Sequence, residues 1–431
     1  MAFNKKTIRD IDLHGKTILM RADYNVPLHN GTVTDDYRIK KSIPTIQYLL
    51  KQKCRVFIMS HLGRPDGRPD KAYSLAPVAK SLETLLGKPV KFVSDCVGSP
   101  VQAAAKDAKN GQVFLLENVR FHAEEEQNDQ KFAQELVDSC QAQVFVQDCF
   151  GVAHREHASI VAITRCLESV AGLLLEQEVD TITTVMENPQ RPLMAIIGGA
   201  KISDKIEILN RFIDIADFVA VGGAMANTFL LAEGIDIGKS KAELDEVPLA
   251  KEIIKKAKAK SARERFIFYL PQDGVVATSL EKTARTRIAD WDAHVIASIE
   301  SYPRQAPRRT ERVLKDELIL DIGPFSGAFI AGGMQLANTV IWNGAMGVTE
   351  TPAIIGPVGP FSHGTELVVD AMLGEYGHKP FTVLGGGDTV GYIEQRQLTD
   401  CFNHVSTGGG ASMELMSGKK LPGVEALTNK L

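Results

Sequence analysis

Residues 192–209 read PLMAIIGGAKISDKIEIL, a short apolar run, two glycines and then two lysines four apart. Apolar runs of this length, followed by a helical pattern, are the units of α/β proteins. The glycines leave the backbone bare where the strand would end, so an oxygen-rich ligand can reach its N–H groups. A helix opening near Ile202 would place Lys201 and Lys205 on one face. Its N-terminus would add partial positive charge. That combination suits phosphate. A plain strand-to-helix turn with two solvated lysines would use the same residues, so the stretch settles strand-then-helix before it settles a ligand.

Runs of the same kind recur along the chain. The first third holds TILMRAD, RVFIMSH, VKFVSD, VFLLENVR and VFVQDCF. After a helical stretch near 167–187 and the breaker ENPQRP, the pattern resumes with DFVAVGG, RFIFYLP, LILDIG, NTVIWNG, FTVLGGG and FNHVSTGGG. Alternation of strand and helix predicts parallel sheet. The fold expected is α/β, with two Rossmann-like lobes, each a parallel sheet flanked by helices, joined by a hinge near 170–190 with a cleft between. The charged, proline-punctuated stretch 282–315, containing YPRQAPRRTER, reads as a surface excursion.

Composition narrows the function. A chain of 431 residues has room for two or three domains. Lys and Arg total 49 against 53 Asp and Glu, a net charge of -4 that offers no global field for nucleic acid or anionic membrane. Six cysteines, with no C-x-x-C pair, fit a reducing compartment without zinc or disulfides. The opening MAFNKKTIRD lacks the apolar core of a signal peptide, and the stretch FVAVGGAMANTFLLA is too short and polar to span a bilayer. A cytoplasmic protein is expected.

In open parallel sheets ligands bind beyond the carboxyl ends of the strands. There the two halves differ. In the first, the residues after the runs are Arg21, Asp23 and Asn25, then His61 and Arg64, Arg120, and His154 with Arg155. In the second they are Gly198 and Gly199, Gly222 and Gly223, Gly344 and Gly347, Gly385 to Gly387, and Gly408 to Gly410. Each arginine alone would read as a surface ion pair. Together they suit a small polyanion held by guanidinium forks, facing phosphates held by backbone. Rival motifs are absent or broken: no G-x-G-x-x-G occurs, GIDIGKS is one residue short of a P-loop, and there is no G-x-S-x-G elbow or zinc-ligand spacing.

The motifs MRADYNVP, MSHLGRPDG, LLENVRF, FGVAHR, GGAKISDKI, DIGP, WNGAMGV, GGGDTV, STGGGAS and LPGVEAL occur in an order that resembles the phosphoglycerate kinase family, bacterial in style, over nearly the whole chain. The resemblance implies transfer of a phosphoryl group between 1,3-bisphosphoglycerate and ADP, giving 3-phosphoglycerate and ATP, with Mg2+. It implies a phosphoglycerate-binding lobe of residues 1–175 with about 408–431 folded back onto it, and a nucleotide-binding lobe of 188–407. Asp23, Tyr24, Asn25, Arg38, His61, Leu62, Gly63, Arg64, Arg120 and Arg155 would hold the phosphoglycerate. Gly199, Lys201, Lys205, Gly223, Asn343, Glu350, Gly385, Gly386, Gly387, Asp388 and Thr389 would hold the nucleotide, with Asp388 on the metal and Glu350 on the ribose. Arg38, Lys205, Gly387 and Gly410 would act on the transferring group, whose equatorial oxygens carry the charge to be stabilised. For Arg38, a local ion pair near a helix start after Asp35 and Asp36 is the competing reading.

Departures from the family pattern are Ala345 where a proline is usual, Thr349 where an aromatic commonly precedes the glutamate, and the run QDCFGVAHREHAS. A monomer acting on small molecules is expected. Two other readings stay open: a kinase of another small carboxylate, and a nucleotide-dependent regulator without turnover.

Overall fold

The computed structural model describes residues 3–291 and 312–430, so most of the 282–315 stretch lies outside the described residues. Contacts divide the chain into two compact units, residues 1–184 with 410–431, and residues 185–409.

In the first unit the apolar runs become strands β1 (Thr17–Arg21), β4 (Arg55–Met59), β5 (Val90–Val93), β6 (Val113–Leu116), β7 (Val144–Gln147) and β8 (Ser169–Ala171), with a small hairpin, β2 (Leu28–His29) and β3 (Thr32–Val33), between the first two. The sheet order is β5-β6-β4-β1-β7-β8, and every pairing in it is parallel. Helices α1 (Tyr37–Lys51), α2 (Ala76–Leu86), α3 (Ser99–Lys106) and α4 (Gln130–Cys140) connect these strands, and α5 (Leu173–Glu187) follows β8. All five residues of β1 are buried, as expected of a central strand covered by helices on both faces. Order runs outward from β1 in both directions, so the topological switch lies beside Arg21 and the residues after it.

The second unit repeats the plan. Its strands are β9 (Leu193–Ile197), β10 (Phe218–Val221), β11 (Ile267–Tyr269), β12 (Asp273–Ala277), β13 (Arg287–Asp290), β14 (Leu318–Ile322), β15 (Thr339–Asn343), β16 (Phe381–Gly385) and β17 (His404–Val405). The parallel sheet has the order β11-β10-β9-β15-β16-β17, and its switch falls between β9 and β15. Its helices are α6 (Ile206–Ile215), α7 (Gly223–Ala232), α8 (Val247–Ser261), α9 (Pro324–Met334), α10 (His363–Leu373) and α11 (Gly387–Gln395). LILDIG departs from the expected parallel pattern. As β14 it pairs antiparallel with β12 in a separate three-stranded sheet, β13-β12-β14, because its partner is the run DGVVA and not a strand of the main sheet. The start of the supposed surface excursion is β13 of that sheet.

After β17, α12 (Gly410–Met416) and α13 (Pro422–Glu425) belong to the first unit. Lys5 fastens them: its Nζ donates to the carbonyls of Glu425 and Leu427 and to Asn429 Oδ1 at 2.8, 3.3 and 2.8 Å. Gly423 packs so closely that an added Cβ would lie 2.6 Å from Ile160, and its N–H donates to Ala153 O at 2.8 Å.

Candidate functional site

At the carboxyl ends of β1, β4 and β6 the first unit gathers its cations. Arg21 is buried and wholly engaged: Nε donates to Ser159 Oγ at 2.9 Å, Nη1 to Ala22 O at 2.6 Å, and Nη2 approaches His61 Nδ1 at 3.2 Å. A guanidinium can only donate, so His61 Nδ1 accepts and Nε2 carries the ring proton. Burial, then the charges of Arg21, Arg120 and Arg38, holds His61 well below the usual imidazole range, so the ring is neutral. Ser159 in turn donates to the buried Glu125 at 2.6 Å, which puts one carboxylate beneath the cluster.

Above this layer Arg38 Nη1 meets Asp23 Oδ2 at 3.0 Å and Asn25 O at 3.4 Å. Asn25 Oδ1 accepts from Gly63 N at 2.9 Å, and Arg120 Nη1 donates to Gly63 O at 2.8 Å. Gly63 is held at φ +61, and a Cβ there would overlap the Tyr73 ring at 2.3 Å. Asn118 Nδ2 donates to Leu62 O at 2.7 Å, which fixes this loop from below. Arg64 and Arg155 are exposed and, among the described residues, no acidic side chain pairs with them. Such guanidiniums are available to an anion. Tyr24 is committed to the fold: its side chain is fully buried, its hydroxyl meets Ser42 Oγ at 2.9 Å, its N–H donates to Ser60 Oγ at 2.8 Å and its carbonyl accepts from Val26 N at 2.9 Å. Leu62 is buried too, and its carbonyl is the one that accepts from Asn118 Nδ2.

In the second unit, the expected helix does not open near Ile202. It opens at Ile206, with Lys205 as its N-cap, so Lys201 and Lys205 do not share a helical face. The cause lies elsewhere in the chain. Glu243 accepts from the N–H groups of Ile202 and Ser203 at 2.6 and 3.1 Å and from Ser203 Oγ at 2.6 Å, holding the segment as a turn. Lys201 is exposed. Lys205 folds back to the switch point, where Nζ donates to Gly198 O at 2.7 Å, Asn343 O at 3.1 Å and Asn343 Oδ1 at 2.8 Å. Burial pushes its ammonium down to about 8, against the pull of Asp388 and Asp204.

The glycines around Lys205 are required by close approach. A Cβ on Gly223, at φ +64, would lie 2.5 Å from Gly199 N, and one on Gly198 would lie 2.0 Å from Ala345 O. Gly199 N donates to Ala345 O at 3.0 Å, and Gly223 N to Met346 O at 3.0 Å. These bonds stitch the ends of β9, β10 and β15 into one floor. Beside it opens a cavity of about 200 Å³, lined by Gly199, Gly223, Leu230, Met346, Glu350 and Asp388 among others. Its walls are largely apolar, with the buried carboxyls of Asp273 and Asp321 also among the lining residues. Gly385 ends β16, Gly386 is at φ +87, and Gly387 and Asp388 open α11, presenting free backbone N–H groups. Thr389 is buried, and its Oγ1 accepts from Gly344 N at 2.6 Å, so it braces β15 and does not face a ligand with its hydroxyl. Gly410 opens α12 in the first unit, where a Cβ would lie 3.4 Å from His154 Nε2.

A family model described as phosphoglycerate kinase matches residues 8–419. The chain belongs to the phosphoglycerate kinase family. It is similar to the phosphoglycerate kinases of Moorella thermoacetica, 44% identical over 426 residues covering 99% of this chain and 100% of that protein, and Chloroherpeton thalassium, 45% identical with 99% of each covered. Among solved structures it is similar to phosphoglycerate kinase from Coxiella burnetii, at 36% identity and TM-score 0.80, and from Pyrococcus horikoshii, at 28% identity and TM-score 0.78, with 98% of each chain covered in both cases. The two sheets flanked by helices are therefore the fold of a phosphoglycerate kinase, and nucleotide and phosphoglycerate are its small-molecule substrates. Glu125 and Glu243, which shape the phosphoglycerate kinase site from beneath, escape sequence reasoning because neither lies in a motif with a chemical signature of its own. Asn118 and Ser159, though inside LLENVRF and QDCFGVAHREHAS, are not singled out there because their role is to brace other residues.

Proposed function

We propose that the chain transfers a phosphoryl group from 1,3-bisphosphoglycerate to ADP, the first unit holding the phosphoglycerate and the second the nucleotide. The observation that carries the assignment of units is their opposite construction: guanidiniums and a neutral imidazole at one set of strand ends, bare backbone and a half-buried lysine at the other. Fork donors suit a phosphate and a carboxylate at the two ends of a short polyanion. Backbone N–H groups and helix N-termini suit a phosphate chain.

In the reaction, a β-phosphate oxygen of ADP attacks phosphorus as the acyl phosphate P–O bond breaks, and the carboxylate leaves with the electron pair. Both carboxylate and diphosphate are ionised at pH 7, so no general base is needed. The requirements are charge neutralisation, in-line placement and exclusion of water, which would hydrolyse the acyl phosphate. In this reading Arg38 meets the transferring group by exchanging its contact with Asp23, and Lys205 by leaving its partners Gly198 and Asn343. In-line transfer requires the two substrates to meet, so the reading includes closure on a hinge.

Asp388 fits a magnesium site in one respect: it stands exposed at the head of α11 among free N–H groups, with no described residue bonded to its carboxylate. When bound, Mg2+ would neutralise nucleotide phosphate charge through oxygen ligands. We read the protein as a cytoplasmic monomer. No described helix is long and apolar enough to cross a membrane, and all six cysteines are free. A coupled assay with 3-phosphoglycerate and MgATP tests the activity. Turnover with 3-phosphoglycerate, but not with acetate or glycerate, supports it; the reverse preference would replace it with a different carboxylate kinase.

A further inference from the structure

We propose that Asp95, Cys96 and His122 of the first unit form a cation site of their own, suited to a borderline-soft dication such as Zn2+. The three offer one oxygen, one sulfur and one nitrogen, and their ligand atoms all lie within 4.8 Å of one another. This is the donor mixture that zinc prefers and magnesium does not. Cys96 is fully buried at the base, whereas the side chains of Asp95 and His122 are 41% and 29% exposed, so an ion can enter from solvent.

The site is partly organised already. Asp95 Oδ1 accepts from Cys96 N at 2.7 Å and from His122 Nε2 at 2.9 Å, while Oδ2 has no bond to a described residue. The His122 ring stacks on Phe132 with centroids 5.1 Å apart, which fixes its plane. On entry the Cys96 proton leaves to solvent and the His122 ring proton passes from Nε2 to Nδ1, so affinity rises with pH. His122 follows the short helical turn that carries Arg120, so an occupied site would tie that turn to the loop after β5.

The experiment is equilibrium dialysis of the full, metal-free chain against Zn2+ in excess Mg2+, with Co2+ absorption in parallel. One equivalent of Zn2+ is expected, together with a thiolate-to-cobalt charge-transfer band. Cys96→Ser should abolish the band and weaken Zn2+ binding at least tenfold, and His122→Ala should weaken it similarly. Cys401→Ser, at an exposed thiol, should leave both unchanged. A circular dichroism spectrum and urea midpoint of zinc-free Cys96→Ser unchanged from the wild-type chain show that the variant is folded. Failure of the wild-type chain to retain Zn2+, or uptake undiminished in Cys96→Ser, overturns the site whether or not the chain is a phosphoglycerate kinase.

Discussion

Lys205 Nζ and Asn343 Oδ1 stand 2.8 Å apart at the junction of β9 and β15, so a half-buried cation of the second unit is anchored to the strand across the topological switch. Two further carbonyls, of Gly198 and Asn343, complete its shell. All three partners are neutral, so the ammonium is positioned without being neutralised. Lys205→Ala should therefore lower turnover by more than tenfold, about 1.4 kcal/mol of barrier, with an unchanged circular dichroism spectrum. Asn343→Ala should show a smaller loss. An equal or larger loss on removing Asn343 would mean that the amide, and not the lysine, does the chemistry.

The same burial makes nucleotide binding sensitive to alkali. With its ammonium pushed down to about 8, free Lys205 loses its charge as pH rises through that value. A neutral amine attracts phosphate less, so MgADP affinity should be full below pH 7 and fall between pH 7 and 9. Calorimetry across that range checks it, and Lys205→Arg, which stays charged, should flatten the profile.

Arg38 and Asp388 should fail differently. Arg38 is held by Asp23 in the first unit, and Asp388 opens α11 in the second. Arg38→Ala should lower turnover with little change in MgADP affinity, as for a group that acts mainly in the transition state. Asp388→Ala should raise the magnesium requirement and weaken MgADP binding. Identical magnesium titrations for the two variants would contradict the assignment.

Glu243 touches no expected ligand position, yet it holds the turn between Gly199 and Lys205. Glu243→Gln replaces charge-assisted bonds with neutral ones at a cost of about 1 kcal/mol. MgADP affinity should drop about fivefold, while KM for 3-phosphoglycerate stays unchanged; a shift in the latter would show general damage.

Asp148 makes stability depend on pH. Its Oδ1 accepts from Leu174 N at 2.9 Å and Leu175 N at 3.3 Å at the head of α5, and burial pushes the carboxyl up to about 8. The unfolded chain releases that proton near pH 4. Between about pH 4 and 8 the folded state thus binds the extra proton, and its contribution to stability, full at the acid end, is lost as pH rises. Urea midpoints should show a shallower decline over this range in Asp148→Asn.

Much of this was legible in the sequence because it is local. A buried strand announces itself by a run such as LMAII, and a break by ENPQRP, within a window of a few residues. The recurrence of basic residues after one set of runs and glycines after the other likewise needs only the chain order. What failed was of another kind. The helix after Gly199 begins at Ile206 because a carboxylate from Glu243 ties up the intervening N–H groups, and nothing within 192–209 reveals that partner.

By itself, then, the sequence determined the α/β alternation, the two chemically unlike sets of strand ends and the family. Tertiary structure alone decided that LILDIG pairs antiparallel outside the main sheet, that the Tyr24 and Thr389 side chains brace the fold, and that Lys205 turns inward while Lys201 stays in solvent. The division has a physical reason. Periodicity and backbone preference act between near neighbours, whereas the orientation of a polar side chain is set by which distant donors and acceptors burial leaves to be satisfied.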